Sequence, residues 1–331
     1  MGEPIGRNLG FDLVRATESA ALSAARWQGR GDKNAVDQAA VEAMRYVLQW
    51  VPMDGVVVIG EGEKDEAPML HIGEQLGTGV PPRVDVAVDP VDGTTLTSKG
   101  LPNAVSVVAL ASRGSLFYAP GIVYMEKIAV GPAARGCIHL DAPVAENIRC
   151  VARAKRLQPS EVTVVILDRP RHEGLIREVR DAGARIKLIS DGDVSGVIMA
   201  AMDGTGVDML MGIGGAPEAV IAACALKCMG GEIQCRIYPR NEEERQKAEA
   251  AGHDPSRILT TDDLVNDDDV FFAMTGITGG ELVRGVRYTS RGAETESLMM
   301  RSRSGTIRRI ESSHNFEKLM KITSVPYQKK S

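Results

Sequence analysis

Two aspartates three residues apart at the end of an apolar run are the residues of this chain best placed to do chemistry. They lie in Val84-Asp85-Val86-Ala87-Val88-Asp89-Pro90-Val91-Asp92-Gly93-Thr94-Thr95. The β-branched stretch from Val84 to Val88 predicts a strand. Pro90, which cannot donate to a ladder, predicts its end, and Gly93 permits a tight turn. Asp89 and Asp92 are then expected to face one another. Carboxylates held that close repel, and removing them from water is unfavourable unless a divalent cation neutralises both. Oxygen-only ligands suit Mg²⁺ or Mn²⁺ rather than Zn²⁺. The same spacing also serves as an ordinary turn closed by Asx bonds.

Further acids sit where elements begin or end. Glu61 follows the run Val56 to Ile59 and is flanked by Gly60 and Gly62; a helix cap or plain exposure is the alternative reading. Asp37 falls in the first turn of an expected helix, where an acid also complements the dipole. Gly212-Ile213-Gly214-Gly215-Ala216-Pro217-Glu218 follows an expected strand and opens an expected helix, with Pro217 in its first turn. Free amides there would face an anion, and Glu218 beside the turn could ligate a metal that a phosphate also bridges; an ordinary tight connection is the alternative. Arg169-Pro170-Arg171 ends the strand Val162 to Leu167, which delivers two guanidinium groups to the end of a sheet. Asp191-Gly192-Asp193 could accept bonds from sugar hydroxyls or act as a turn and cap. The five histidines are scattered without metal-ligand spacing.

Taken in order, helix-Asp, strand-Gly-Glu-Gly-Glu and strand-Asp-Pro-x-Asp-Gly-Thr resemble the superfamily of Li⁺-sensitive, Mg²⁺-dependent sugar phosphatases that includes inositol monophosphatase. Further motifs narrow this. Gly29-Arg30-Gly31-Asp32-Lys33-Asn34, Ile59-Gly60-Glu61-Gly62-Glu63, Asp65-Glu66-Ala67-Pro68-Met69-Leu70, Met125-Glu126-Lys127 and Tyr238-Pro239 are similar to those of class II fructose-1,6-bisphosphatases. So are Pro170-Arg171-His172, Asp191-Gly192-Asp193, the Gly212 to Glu218 turn and Thr275-Gly276-Ile277-Thr278. The resemblance spans about residues 10 to 315.

It implies a layered α-β-α-β-α sugar-phosphatase fold of the α/β class, Mn²⁺ or Mg²⁺ dependence, and release of the 1-phosphate of fructose-1,6-bisphosphate by metal-activated water. Metal ligands carry over onto Asp37, Glu61, Asp89, Asp92 and Glu218, and Thr94 corresponds to the threonine that orients the attacking water. Asp37, Glu61 and Thr94 form the catalytic set. Substrate contacts carry over onto Asp92, Gly93, Thr94, Tyr124, Arg169, Pro170, Arg171, Asp191, Gly192, Asp193 and Gly215. Many bacterial members have Glu where this chain has Asp92, a shorter arm that alters the hold on one metal. A homodimer or homotetramer is implied. A dual enzyme that also cleaves sedoheptulose-1,7-bisphosphate, another sugar or inositol phosphatase, and a non-catalytic metal-dependent sugar-phosphate sensor are the rival readings. Intact Asp37, Glu61 and Thr94 oppose the last.

These side chains need a scaffold. Helical spacing is evident from Phe11 to Trp27 and from about Ala35 to Trp50, and the Gly29 to Asn34 turn separates the two, with Asp32 or Asn34 as a cap. Strands are expected at Val56 to Ile59, Val84 to Val88 and Ala104 to Leu110. Later, strands at Val162 to Leu167, Arg185 to Ile189 and Val207 to Met211 alternate with helices at His172 to Ala182, Val194 to Met202 and Pro217 to Met229. Such alternation predicts parallel βαβ units. Asn241 to Gly252 reads as a solvated helix, Val270 to Thr275 as a strand and Asp203 to Thr205 as a loop. A metal-binding half over 1–155 and a substrate-binding half over 156–331 are expected, with an approximate boundary.

With 331 residues, 44% hydrophobic and 25% charged, the chain has the profile of a globular protein with more than one core. No apolar run approaches the ~20 residues a membrane helix needs. No secretory pattern opens the chain, so a cytoplasmic protein is expected. A net charge of −5 argues against nucleic acid. Five cysteines without paired spacing read as free thiols, since Cys224 and Cys228, four apart on a helix, have poor disulfide geometry.

Overall fold

The computed structural model describes residues 8–62, 69–118, 121–321, 323, 325 and 327. Glu63 and the Asp65 to Pro68 part of the motif above lie outside the described residues. In chain order the strands are β1 Asp54–Ile59, β2 Gln75–Leu76, β3 Arg83–Asp92, β4 Val105–Ser112, β5 Tyr124–Val130, β6 Thr163–Leu167 and β7 Arg185–Ile189. Then come β8 Met209–Gly215, β9 Glu232–Ile237, β10 Leu259–Thr260, β11 Phe271–Gly276, β12 Arg287–Tyr288, β13 Gly292–Arg301 and β14 Thr306–Asn315. The helices are α1 Gly10–Ala24, α2 Lys33–Leu48, α3 Thr94–Lys99, α4 Val144–Lys155, α5 Glu173–Asp181, α6 Asp193–Ala201, α7 Ala216–Met229, α8 Glu242–Ala250, α9 Thr261–Leu264 and α10 Phe316–Leu319.

Two mixed sheets result. One has the order β12-β13-β11-β4-β3-β1-β2 with β14 on β13, and the other has the order β10-β9-β5-β8-β6-β7. The first takes its strands from residues 54–112 and 271–315, the second from 124–260. Leu13, Val14, Val36 and Met44 of α1 and α2 cover one face of the first sheet through Val86, Val88, Val108 and Leu110. Helices α6 and α7 lie between the sheets, where Ala87, Val107 and Ala109 meet Met125, Ala129 and Val165. Ile148, Val151 and Val179 of α4 and α5 cover the far face of the second sheet. The order is α-β-α-β-α, as the resemblance implied. The near-continuous apolar sequence of α7 follows from this placement, because a helix between two sheets buries its whole circumference.

The expected parallel units form, with β6 parallel to both β7 and β8. Strands β5 and β9 were not predicted; β5 runs antiparallel to β8 and β9, so the second sheet is mixed. Pro90, by contrast, does not end its strand. β3 continues to Asp92 along β4, with a register irregularity between Asp89 and Asp92, while its pairing with β1 stops at Ala87. Pro90 thus sits where β3 has lost one neighbour, and its missing donor deprives no ladder there. The hairpin of β13 and β14, whose strands run ten residues each, was not predicted. The Asp203 to Thr205 segment is a turn whose Thr205 hydroxyl donates to the Met199 carbonyl at 2.6 Å. All five cysteines are free thiols, and no helix among the described residues is long and apolar enough to cross a membrane.

Candidate active site

Asp37 is positioned by local chemistry and one long-range lattice of bonds. The Asp32 carboxylate accepts from the Ala35 amide at 3.0 Å and so caps α2, placing Asp37 one turn further in. The glycine-rich turn before it donates from Gly29 and Gly31 to the Thr97 and Ser98 carbonyls of α3, both at 2.9 Å. That lacing fixes α2 against α3. Gly93, at φ 104°, turns the chain sharply from β3 into α3, so Thr94 points back to Asp37. The Thr94 hydroxyl donates to Asp37 Oδ1 at 2.6 Å. Lys33, which sequence reasoning had not singled out, donates to Thr95 Oγ1 at 2.8 Å and lowers the pKa of Asp37 against the upward push of burial.

Glu61, Asp89, Asp92, Gly93, Thr94, Asp191, Asp193 and Glu218 line a single cleft of about 300 Å³. Asp37 adjoins it through Thr94. Burial pushes Glu61 up to about 7, and the charges of Asp37 and Glu218 add to the shift. Burial pushes Glu218 up to about 7 as well, with Asp193 raising it and the Lys127 ammonium opposing. Asp89 and Asp92 stand well above the usual carboxylate range, again through burial first; Asp92 adds to the shift of Asp89, and Asp193 to that of Asp92.

The lysine in the cleft wall is engaged already: buried Lys127 pairs with Asp193 at 2.5 Å. Asp193 is therefore turned onto a lysine. Asp92 Oδ2 accepts from the Ser195 amide at 3.1 Å and the Ser195 hydroxyl at 3.2 Å, so the short arm of Asp92 is held to the first turn of α6. Neither Lys127 nor Ser195 had been assigned a part from sequence, and in both cases the partner lies more than sixty residues away.

The carboxylates fit a hard cation. Glu218 Oε2 is a buried oxygen without a hydrogen-bond partner among the described residues, and the donor set is oxygen alone. No three Asp, Glu, His or Cys side chains among the described residues converge closely enough to form a finished coordination sphere. The acids ring the cleft rather than closing on one point. A cavity of about 1320 Å³ beside Arg26, Trp27 and Tyr288 lies apart from these acids.

The basic residues collect next door. The β5·β8 ladder pairs Tyr124 with Gly215, and a Cβ on Gly215 would stand 1.7 Å from Glu218 Oε2. Tyr124 is thereby tied to the acidic cleft. The Arg171 guanidinium lies 5.0 Å from the centre of the Tyr124 ring, and Arg240, absent from the sequence reading, lies 5.5 Å from it. Pro170 starts the turn that carries Arg171. Arg169 bonds the Asp168 carbonyl at 3.2 Å and lines no part of the acidic cleft. Gly192, at φ 81°, leads into α6 with its Cα side close to Asp92.

Two mixed sheets that bring oxygen ligands to one cleft and guanidinium groups to its border define an α/β protein equipped for phosphate esters. Residues 7–314 match the model of the family described as bacterial fructose-1,6-bisphosphatase, glpX-encoded. The chain is 43% identical over 334 aligned positions to the fructose-1,6-bisphosphatase class 2 of Haemophilus influenzae, covering 97% of this chain and all of that relative. It is 44% identical to the D-fructose 1,6-bisphosphatase class 2/sedoheptulose 1,7-bisphosphatase of Synechococcus sp. (strain JA-3-3Ab), covering 92% of this chain and 95% of the relative. The chain belongs to the class 2 fructose-1,6-bisphosphatase family. That family is metal-dependent and acts on sugar bisphosphates.

Proposed function

We propose that this protein hydrolyses the 1-phosphate of fructose-1,6-bisphosphate, giving fructose 6-phosphate and inorganic phosphate. The observation that carries the reading is the division of charge: carboxylates ring the cleft at Glu61, Asp89, Asp92 and Glu218, while Arg171 rests on Tyr124 at its border. One end suits the scissile phosphate and the other the distal one. Asp37, Glu61, Asp89, Asp92 and Glu218 would hold Mn²⁺ or Mg²⁺. When bound, such cations lower the pKa of water and offset charge on the attacking and leaving oxygens.

The chain's own part is positional and protonic. The Thr94 proton is committed to Asp37 Oδ1, so Thr94 Oγ1 offers a lone pair to an attacking water and sets its direction. Asp37 is the acceptor at the end of that short relay. Asp191 and Asp193 line the cleft where sugar hydroxyls would lie, and no side chain need be phosphorylated. Kinship to the Li⁺-sensitive sugar phosphatases, a cytoplasmic location and a homodimeric or homotetrameric state belong to the same reading, supported by the motifs above. Two of the relatives carry a dual name, so sedoheptulose-1,7-bisphosphate is the second substrate to assay.

A phosphate-release assay tests the reading at Arg171. A charge-assisted bond to phosphate is worth roughly 1.5–3 kcal/mol, so Arg171→Ala should raise KM for fructose-1,6-bisphosphate by about 10- to 100-fold. Turnover of a monophosphate lacking the distal group should scarcely change. Equal losses of kcat/KM on both substrates would place Arg171 at the metal end or in the fold instead.

A further inference from the structure

Arg171 is exposed, and a free arginine on a surface loses rotamer freedom when it grips an anion. This one is fixed beforehand. Its Nη2 and Nε donate to the Ile213 carbonyl at 2.8 and 3.2 Å. The amide of the same residue, Ile213, donates to His172 Nε2 at 2.7 Å, and His172 Nδ1 meets the Leu167 carbonyl, also at 2.7 Å. The carbonyl can only accept, so the ring proton resides on Nδ1 and the imidazole is neutral. Burial and the charges of Arg171 and Arg169 hold its pKa down in the same sense.

The reason for this arrangement is a gap in the sheet. β6 pairs with β8 at Met209 and Leu210, and no further pairing between them occurs among the described residues. Beyond that point β8 needs other partners for groups a strand would have met, and the Pro170–His172 turn supplies them at Ile213. Gly212 completes the fit: at φ 138° its missing Cβ would stand 3.0 Å from His172 Nε2. The imidazole therefore occupies the place beside Ile213 that a neighbouring strand would have taken.

We propose that His172 is a positioning residue for the distal phosphate, a neutral clamp that locks the Arg-Pro-Arg turn to Ile213 and holds Arg171 in its anion-binding pose. The inference rests on the distal-phosphate role of Arg171 argued above. The two ring nitrogens can be tested separately, because asparagine reproduces the Nδ1 donor and glutamine reaches the Nε2 position. His172→Asn, which abandons Ile213, should raise KM for fructose-1,6-bisphosphate by about 5- to 20-fold. It should leave kcat and monophosphate turnover near their starting values. His172→Gln, which can still accept from the Ile213 amide, should stay within about threefold of the parent KM.

The decisive measurement is the double-variant cycle. If His172 acts through Arg171, His172→Asn should add less than about twofold to KM in an Arg171→Ala background. Equal effects of His172→Asn with and without Arg171, or a parent-like KM in His172→Asn, would overturn the inference while leaving the role of Arg171 intact. Failure of Arg171→Ala itself to discriminate bisphosphate from monophosphate would overturn both. Should His172→Asn yield no folded protein, the rescue by His172→Gln carries the test alone: a selective rise in its KM to that of Arg171→Ala would sink the clamp.

Discussion

Asp37→Asn and Thr94→Ala are each expected to lower kcat by about 10²-fold or more while KM moves by less than about threefold. The expectation follows from a single bond, Thr94 Oγ1 donating to Asp37 Oδ1 at 2.6 Å. Asparagine in place of Asp37 can keep a contact but cannot take up a proton. Alanine in place of Thr94 removes the lone pair proposed to aim the water. Both substitutions leave the apolar packing of α2 and α3 untouched, so circular dichroism should report a native fold. Steady-state phosphate release on the two variants is the check, and near-parental kcat in both would move catalysis away from this pair.

Stripping divalent cations should abolish activity, and Mn²⁺ or Mg²⁺ should restore it, with Zn²⁺ a poor replacement. A second readout does not depend on turnover. Glu61 and Glu218 are each raised to about 7 from an ordinary 4.5. Raised carboxylates favour the folded state fully only below the unfolded value, so their contribution disappears as pH climbs from about 4.5 through about 7. Metal-free protein should accordingly show a falling Tm across that window. Glu218, with a buried oxygen, should carry more of the change than Glu61, whose side chain reaches solvent and is screened. Bound cations replace those protons, so the gap in Tm between loaded and stripped protein should widen with pH. Scanning calorimetry at pH 5 and pH 8 decides it: equal gaps, or full turnover in excess chelator, would remove metal from the mechanism.

Much of the site could be seen in one dimension because its parts are local. Strand-ending acids, the Gly93 turn, the Asp32 cap and the glycine run before Glu218 depend on residues within a few positions of one another, and each formed close to where its chemistry predicts. Periodicity likewise gave α1, α2, α6 and α7 to within a few residues. The glycines of the Gly212 to Glu218 turn were read as access for an anion to free amides. In the fold the Ile213 and Ala216 amides are not free, since they donate to His172 Nε2 and to the Val123 carbonyl, and the glycines make room instead: Cβ atoms there would meet His172, Asp193 and Glu218.

By itself, then, the sequence determined which residue types stand at which turns, and with them the oxygen chemistry of the cleft. Tertiary structure alone decided that β5 and β9 are strands and pair antiparallel, because Glu126 and Lys127 in β5 and Glu232, Gln234 and Arg236 in β9 interrupt the apolar runs from which strands are read. It decided that β3 passes through Pro90, since the loss of β1 as a neighbour is a property of the sheet. It also decided the partners that fix the site: Thr94 on Asp37, Ser195 on Asp92, Lys127 on Asp193 and His172 on Ile213. Each of those bonds joins segments at least forty residues apart, and hydrogen bonds reach only about 3 Å, so they exist only once the sheets have packed.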